Sequence, residues 1–142
     1  VVSENETGAL ILALHRATHA TLGALQARLA YLDLTASEIN ALANLADGRA
    51  RTIGELAAQT ATKPTTLTSV LDRLVRRRYV VRQLDPADRR SFLASLTDEG
   101  RPVADTARAA IHDIERTALA MVNGADLAGF RAITHALTEA SR

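Results

Sequence analysis

The stretch TIGELAAQTATKPTTLTSVLDRLVRRRYVVRQLDPADRRSFLASLTDEG, residues 52–100, decides the fold. It opens on Thr52-Ile-Gly-Glu55, a capping box: the Thr hydroxyl accepts from the N–H three residues on, and the Glu side chain reaches back. A short helix follows, with Ile53, Leu56 and Ala57 inward. A second helix starts near Lys63-Pro64, where proline's missing N–H costs nothing. Leu67, Val70, Leu71, Leu74 and Val75 recur at helical spacing. The opposite face carries Thr65, Thr66, Thr68, Ser69, Asp72, Arg73, Arg76 and Arg77. Short hydroxyls are poor helix-interior residues, but they suit hydrogen bonding to base edges and phosphates. Then the period changes. Tyr79–Leu84 and Ser91–Leu96 alternate as strands around the turn residues Asp85-Pro86-Ala87-Asp88. The result is a β-hairpin with Arg89 and Arg90 at its exposed end.

Working outward, the flanks read as helix. Residues 5–31 repeat Leu10, Leu14, Ala17, Thr21, Leu25 and Leu29 every three or four positions. Ile11, Leu12 and Leu22 lie off that stripe, so the helix has two apolar faces, one for its own domain and one for a partner chain. Thr35-Ala-Ser-Glu38 is a second capping box, opening a helix with Ile39, Leu42 and Leu45 inward that ends at Asp47-Gly48. Thr97 caps a helix running to about Val122, Asn123-Gly124 breaks it, and a last helix spans about Asp126 to Ala140.

Composition supports one compact domain, 1–142, with a real core: 47% of residues are hydrophobic, while aromatics make up only 3%. There is no cysteine, which removes disulfides, thiolate metal sites and thiol redox chemistry. The longest apolar run, Ala9 to Leu14, is far short of the roughly 18 residues of a membrane span. No basic leader with a cleavage site is visible, and a cytoplasmic location is expected. Net charge is +1, but its distribution is uneven. Residues 49–90 hold ten basic and four acidic residues, a net +6, against −5 for the remainder. A basic middle between acidic flanks is the footprint of a polyanion-binding module.

Helix, turn, helix and two-stranded wing, in that order, make a winged helix-turn-helix. The expected fold is mainly α with a small β wing: residues 34–97 bind DNA, and helices 5–31 and 98–140 pair two chains. The second helix, Pro64 to Arg77, would enter the major groove, and the wing would reach toward the minor groove.

Several of these residues resemble one family. They are Leu34-Thr35 with Ile39, Leu42 and Leu45; Ile53-Gly54-Glu55-Leu56-Ala57; and Thr65 through Leu74. The sharpest part is the wing: Asp85, then Asp88-Arg89-Arg90, then Leu96-Thr97-Asp98-Glu99-Gly100. Together they resemble the MarR (multiple antibiotic resistance regulator) family, over essentially the whole chain. The resemblance implies a homodimeric transcriptional regulator, expected to be a repressor, on a pseudo-palindromic DNA operator. It implies DNA contacts from Thr65, Thr66, Thr68, Ser69 and Arg73 and from Asp88, Arg89 and Arg90 in the wing. Lys63, Pro64, Arg76 and Arg77 complete the expected DNA-binding set. Asp88 is expected to hold one arginine in a fixed pose while another enters the groove. The family also implies a small phenolic or anionic effector, with His15, Arg16, His19 and Tyr31 as pocket candidates. One departure is Arg78, which stands where the family usually has a glycine suited to a positive-φ helix end.

Other readings are weaker. His15 and His19 lie four apart, but two histidines on one helix are not a metal site. No Gly-x-Ser-x-Gly, P-loop or dinucleotide fingerprint occurs, so neither an enzyme nor a cofactor is expected. The alternative from another class is a winged-helix adaptor that binds protein, against which the basic middle argues.

Overall fold

The computed structural model describes residues 4–141; residues 1–3 and 142 of the expected domain lie outside them. Six helices and three short strands follow in the order α1 (Glu4–Arg28), a 3-10 turn (Ala30–Leu32), α2 (Ala36–Leu45), β1 (Arg51–Thr52), α3 (Ile53–Thr60), α4 (Pro64–Arg76), β2 (Val80–Leu84), β3 (Phe92–Leu96), α5 (Gly100–Leu119) and α6 (Gly124–Ala140). No described helix is long and apolar enough to cross a membrane. The chain divides into two compact units, one through residue 111 and one from residue 112 onward.

Within the first unit, both expected capping boxes form. Glu38 N–H donates to the Thr35 hydroxyl and Thr35 N–H to Glu38 Oε2 at 2.8 Å. Thr52 and Glu55 repeat the arrangement at the start of α3. Gly48 ends α2 at φ +79°, where a side chain would be strained. The inward stripes of α2, α3 and α4 meet in one core: Leu42, Leu45, Leu56, Leu71 and Leu74 are fully buried, closed by Val80 and Ala94 of the sheet and Ala104 of α5. A smaller cluster of Leu29, Ile39 and Ala107 joins the end of α1 to α2 and α5.

The expected two-stranded wing is a three-stranded antiparallel sheet, in order β1-β3-β2. β2 and β3 pair Val80 with Leu96 through Leu84 with Phe92. On its other edge β3 pairs with Arg51 and Thr52, just before the α3 cap. The hydrogen-bonding groups on that edge of β3 need partners, and two residues of extended chain supply them.

The end of α4 is a Schellman turn. Tyr79 N–H donates to Leu74 O and Arg78 N–H to Val75 O, with Arg78 at φ +62°. The non-glycine residue therefore adopts the left-handed conformation that glycine favours. Thr97 pins this corner: its hydroxyl donates to Arg78 O and its N–H to Tyr79 O. As expected, Thr97 also caps α5, accepting from Gly100 N–H at 2.9 Å. Gly100 is buried against the Tyr79 backbone, where an added Cβ would lie 1.9 Å from the Tyr79 carbonyl oxygen.

The second unit holds the end of α5 and all of α6. Asn123, expected as a helix breaker, also caps α6, accepting from Ala125 and Asp126 N–H groups while Asp126 bonds back. No residue of α6 is buried.

Candidate nucleic-acid interface

α4 presents the expected two faces. Leu67, Val70, Leu71 and Leu74 point into the core, while Lys63, Pro64, Thr65, Thr66, Thr68, Ser69 and Arg76 are exposed, as is Val75 of the expected apolar stripe, at the last turn of the helix. Its N-terminus differs from those of α2, α3 and α6, each of which has a capping box. Lys63 at the α4 cap makes no side-chain cap bond, and Pro64 follows. The first-turn N–H groups of Thr65 and Thr66 thus lack a side-chain cap, in a helix end whose dipole favours anions.

The arginines of the basic middle sort into two groups that the sequence does not separate. Four are held internally. Arg51 makes a two-pronged bond to Asp47, at 2.8 and 2.6 Å. Arg73 Nε donates to Glu38 Oε1 at 2.9 Å. Arg77 donates to the backbone carbonyls of Asp33 and Leu32 and lies 5.3 Å from the Tyr79 ring centroid. Arg82 donates to Asp72 and, at 3.1 Å, to the Thr68 carbonyl. Among the described residues, the side chains of Arg49, Lys63, Arg76, Arg78, Arg89 and Arg90 have no intramolecular hydrogen bond or ion pair. The positive charge left for a polyanion is therefore that of the helix ends and the wing tip.

Glu38 has two tasks. Its carboxylate caps α2 through one oxygen and grips α4 through the other. Burial pushes its pKa up, but the Thr35 N–H and Arg73 bonds outweigh that and hold it below its ordinary value. Arg77 grips the same junction from the end of α4, so the α1–α2 connection sets where the recognition helix lies. Arg77 is an anchor, and Arg73 has one of its donors engaged. Both were expected on the sequence alone to face DNA.

The wing tip is ordered by its aspartates. Asp85 Oδ1 accepts from Ala87 N–H at 2.9 Å, and Asp88 Oδ1 from Arg90 N–H at 3.0 Å. Asp88 thus braces the backbone that carries Arg90, whereas the expected partner was an arginine side chain. A short acceptor two residues before the N–H closes an Asx turn more readily than it reaches a long mobile guanidinium. Arg89 and Arg90 stand exposed on this braced loop.

Sequence reading overlooked Arg82. Strand alternation carried the signal, because Val80 and Arg82 lie on the same face of β2 and Val80 is buried. Arg82 fastens the wing to α4 at Thr68 and Asp72, and its Nε is buried without a partner.

The four effector candidates lie on α1 (His15, Arg16 and His19) and on the 3-10 turn that follows it (Tyr31). His15, Arg16, His19 and Tyr31 are all exposed, Tyr31 at 73%. None lines either of two apolar clefts, one in each unit. One cleft, of about 170 Å³, is lined by Leu22, Leu25, Gln26, Ile39, Asn40 and Ile111. The other, about 420 Å³, lies within the second unit among Leu119, Val122, Leu127 and Phe130, with Glu115 and Arg131. Among the described residues no three His, Asp or Glu side chains gather as metal ligands.

Comparison with known proteins agrees with this geometry. Residues 32–91 match the model of the MarR family. The chain is similar in structure to MepR of S. aureus in its DNA-binding conformation, with 16% identity, a TM-score of 0.85, and coverage of 94% of this chain and 98% of MepR. It is similar to BpsR of Bordetella bronchiseptica, whose DNA binding is regulated by 6-hydroxynicotinic acid, with 25% identity, a TM-score of 0.73, and coverage of 89% and 90%. It is also similar to AbsC, a MarR family transcriptional regulator of Streptomyces coelicolor, with 21% identity, a TM-score of 0.80, and coverage of 100% and 97%. No curated protein sequence matches the chain.

Proposed function

We propose that this chain is a winged-helix transcriptional regulator of the MarR family, whose model matches residues 32–91, and that it binds a pseudo-palindromic operator as a homodimer and represses until a small molecule releases it. The observation that carries the DNA reading is the pairing of an uncapped, hydroxyl-rich α4 face with unpaired arginines at a braced wing tip. Thr65, Thr66, Thr68 and Ser69 meet base edges. Lys63, Arg76, Arg89 and Arg90 meet phosphates or the minor groove. Arg73, Arg77 and Asp88 hold these groups in place.

The dimer reading is supported by apolar side chains that the single chain leaves open. On α1 these are Leu10, Ile11, Leu12 and Leu22, and on α6 Phe130 and Ile133, all more than a third exposed. A partner chain would cover them and set the two recognition helices about 34 Å apart, one turn of DNA.

The regulation of BpsR by 6-hydroxynicotinic acid supports an aromatic, anionic effector here. The cleft among Leu22, Leu25, Gln26 and Ile39 is the seat we favour. At about 170 Å³ it compares with cavities of about 150 Å³ that take up benzene. It abuts the α2 segment that grips α4, so an occupant that prefers one α2 pose shifts the recognition helix. His15, Arg16, His19 and Tyr31 contribute only if the partner chain covers them.

The test is a mobility shift with DNA from upstream of the chain's own gene against random duplex of equal length. Preference for the former is expected, with affinity falling steeply as salt rises. Arg90→Ala in both protomers should lower the log–log salt slope by about 1.8, roughly 0.9 per lost phosphate contact. Equal affinity for both duplexes would sink the sequence-specific reading.

A further inference from the structure

The exposed face of α4 carries four side-chain hydroxyls, on Thr65, Thr66, Thr68 and Ser69. They are not equivalent. The Thr68 hydroxyl donates to the Pro64 carbonyl at 2.9 Å. Among the described residues, the hydroxyls of the other three make no intramolecular hydrogen bond. Thr68 is also fixed through its backbone: its carbonyl accepts from Arg82 of the wing. The turn of helix that carries Thr68 is thus the point where wing and recognition helix are fastened.

A hydroxyl has one proton to give. At Thr68 that proton goes to the preceding helical turn, so no donor remains for a base. The bond also selects the side-chain rotamer, since a β-branched residue has few staggered choices in a helix. The oxygen is drawn back against the helix, and the methyl is left as the free arm. In the major groove one base edge offers a matching apolar feature, the C5-methyl of thymine.

We propose that Thr68 is a specificity-determining residue that reads a thymine, methyl against methyl, in each half of the bound site. The proposal rests on the DNA-binding reading above. Thr65, Thr66 and Ser69, with free hydroxyls, supply the hydrogen-bonded part of the recognition.

The experiment starts by enriching duplexes from a random pool with the full chain. Each thymine of the enriched duplex is then replaced singly by deoxyuridine, which lacks only the methyl. One thymine per half-site should lose about fourfold in affinity when replaced, the worth of one buried methyl group. Thr68→Val keeps the methyl and should still distinguish thymine from uracil at that position about fourfold, whatever its overall affinity. Thr68→Ser keeps the hydroxyl and its backbone bond, and should no longer distinguish thymine from uracil at that position. If Thr68→Ser still discriminates thymine from uracil, or Thr68→Val no longer does, the methyl is not what reads the base and the proposal fails. An enriched duplex with no methyl-sensitive thymine overturns this proposal alone. Absence of any enrichment overturns the DNA-binding reading with it.

Discussion

The winged-helix core and the second unit, from residue 112 onward, use similar aliphatic residues to opposite ends. In the first, Leu42, Leu45, Leu56, Leu71 and Leu74 have no exposed surface, and the N-terminal caps of α2 and α3 are satisfied within the chain. In the second, Phe130 is 57% exposed and Met121 81%, although Asn123 and Asp126 cap α6 equally well. Local helix signals are therefore complete in both regions, and only tertiary burial separates them. A helix gains most of its stability from packing its apolar side. A well-capped helix with no buried residue is one whose packing surface lies elsewhere, and a second copy of the chain is the surface proposed here.

The largest expected effect breaks the closed side of this contrast. Gly100→Ala would push a methyl group into the Tyr79 carbonyl, a backbone atom that Thr97 also holds. Overpacking of this kind costs about 3 kcal/mol or more where the neighbour cannot yield. Chemical denaturation followed by circular dichroism should show that loss. A change below about 1 kcal/mol would mean that the α4–β2 corner is softer than its bonds suggest.

Next in size is a break on the open side. Phe130→Asp should leave the folding of the winged-helix core unaltered and raise the dimer dissociation constant about 30-fold or more, as for loss of an interface anchor. Sedimentation across a concentration series reads this directly. A dimer of unchanged strength would remove α6 from the seam and leave its exposed face unexplained.

Glu38 sharpens the contrast from within, because one carboxylate joins two elements of the closed unit. Glu38→Gln should cost about 1–2 kcal/mol, through the weakened cap and the lost charge on Arg73. A pH dependence should go with it. Glu38 titrates below its ordinary 4.5 when folded, so the unfolded chain protonates first as pH falls. Its contribution is complete above the unfolded value and disappears as the pH drops through the folded one. Glu38→Gln should flatten that acid limb of stability, and a limb of unchanged slope would assign it to Asp47 and Glu55, whose carboxyls are also held low.

What could be read in the sequence follows the same division. Local signals were legible: two capping boxes, the hairpin with its Asp-Pro turn, and the apolar stripe of α4 all depend on residues within a few positions. Partner choices across the fold were not. Arg73, Arg76 and Arg77 look alike in sequence, yet Glu38 and the Leu32 and Asp33 carbonyls, some 35 to 45 residues away, engage two of them. β1 escaped for a related reason: Arg51–Thr52 has no period of its own and becomes a strand only through β3. On α1, Ile11, Leu12 and Leu22 off the main stripe signalled a second apolar face, and all three stay exposed in the fold.

The smallest expected effect is a gain. Arg78 holds a left-handed conformation at φ +62°, in a turn whose hydrogen bonds are all made. An L-residue there costs about 1–2 kcal/mol relative to glycine in the folded state. Glycine costs roughly 0.5–1 kcal/mol more on the unfolded side, through its wider freedom. Arg78→Gly should therefore stabilise the winged-helix core by less than about 1.5 kcal/mol. The melting temperature would rise by no more than a few degrees, at about 2–4 °C per kcal/mol for a chain of this size. Because the Arg78 guanidinium has no intramolecular partner among the described residues, no lost contact should offset this. The same exposed charge lies at the recognition-helix end of the basic patch, so binding can weaken while stability rises. Arg78→Asn separates the two, removing the charge while tolerating the left-handed turn better than arginine. If both variants melt lower than the native chain, the turn is held by the arginine itself, and the departure from glycine is a contact rather than a strain.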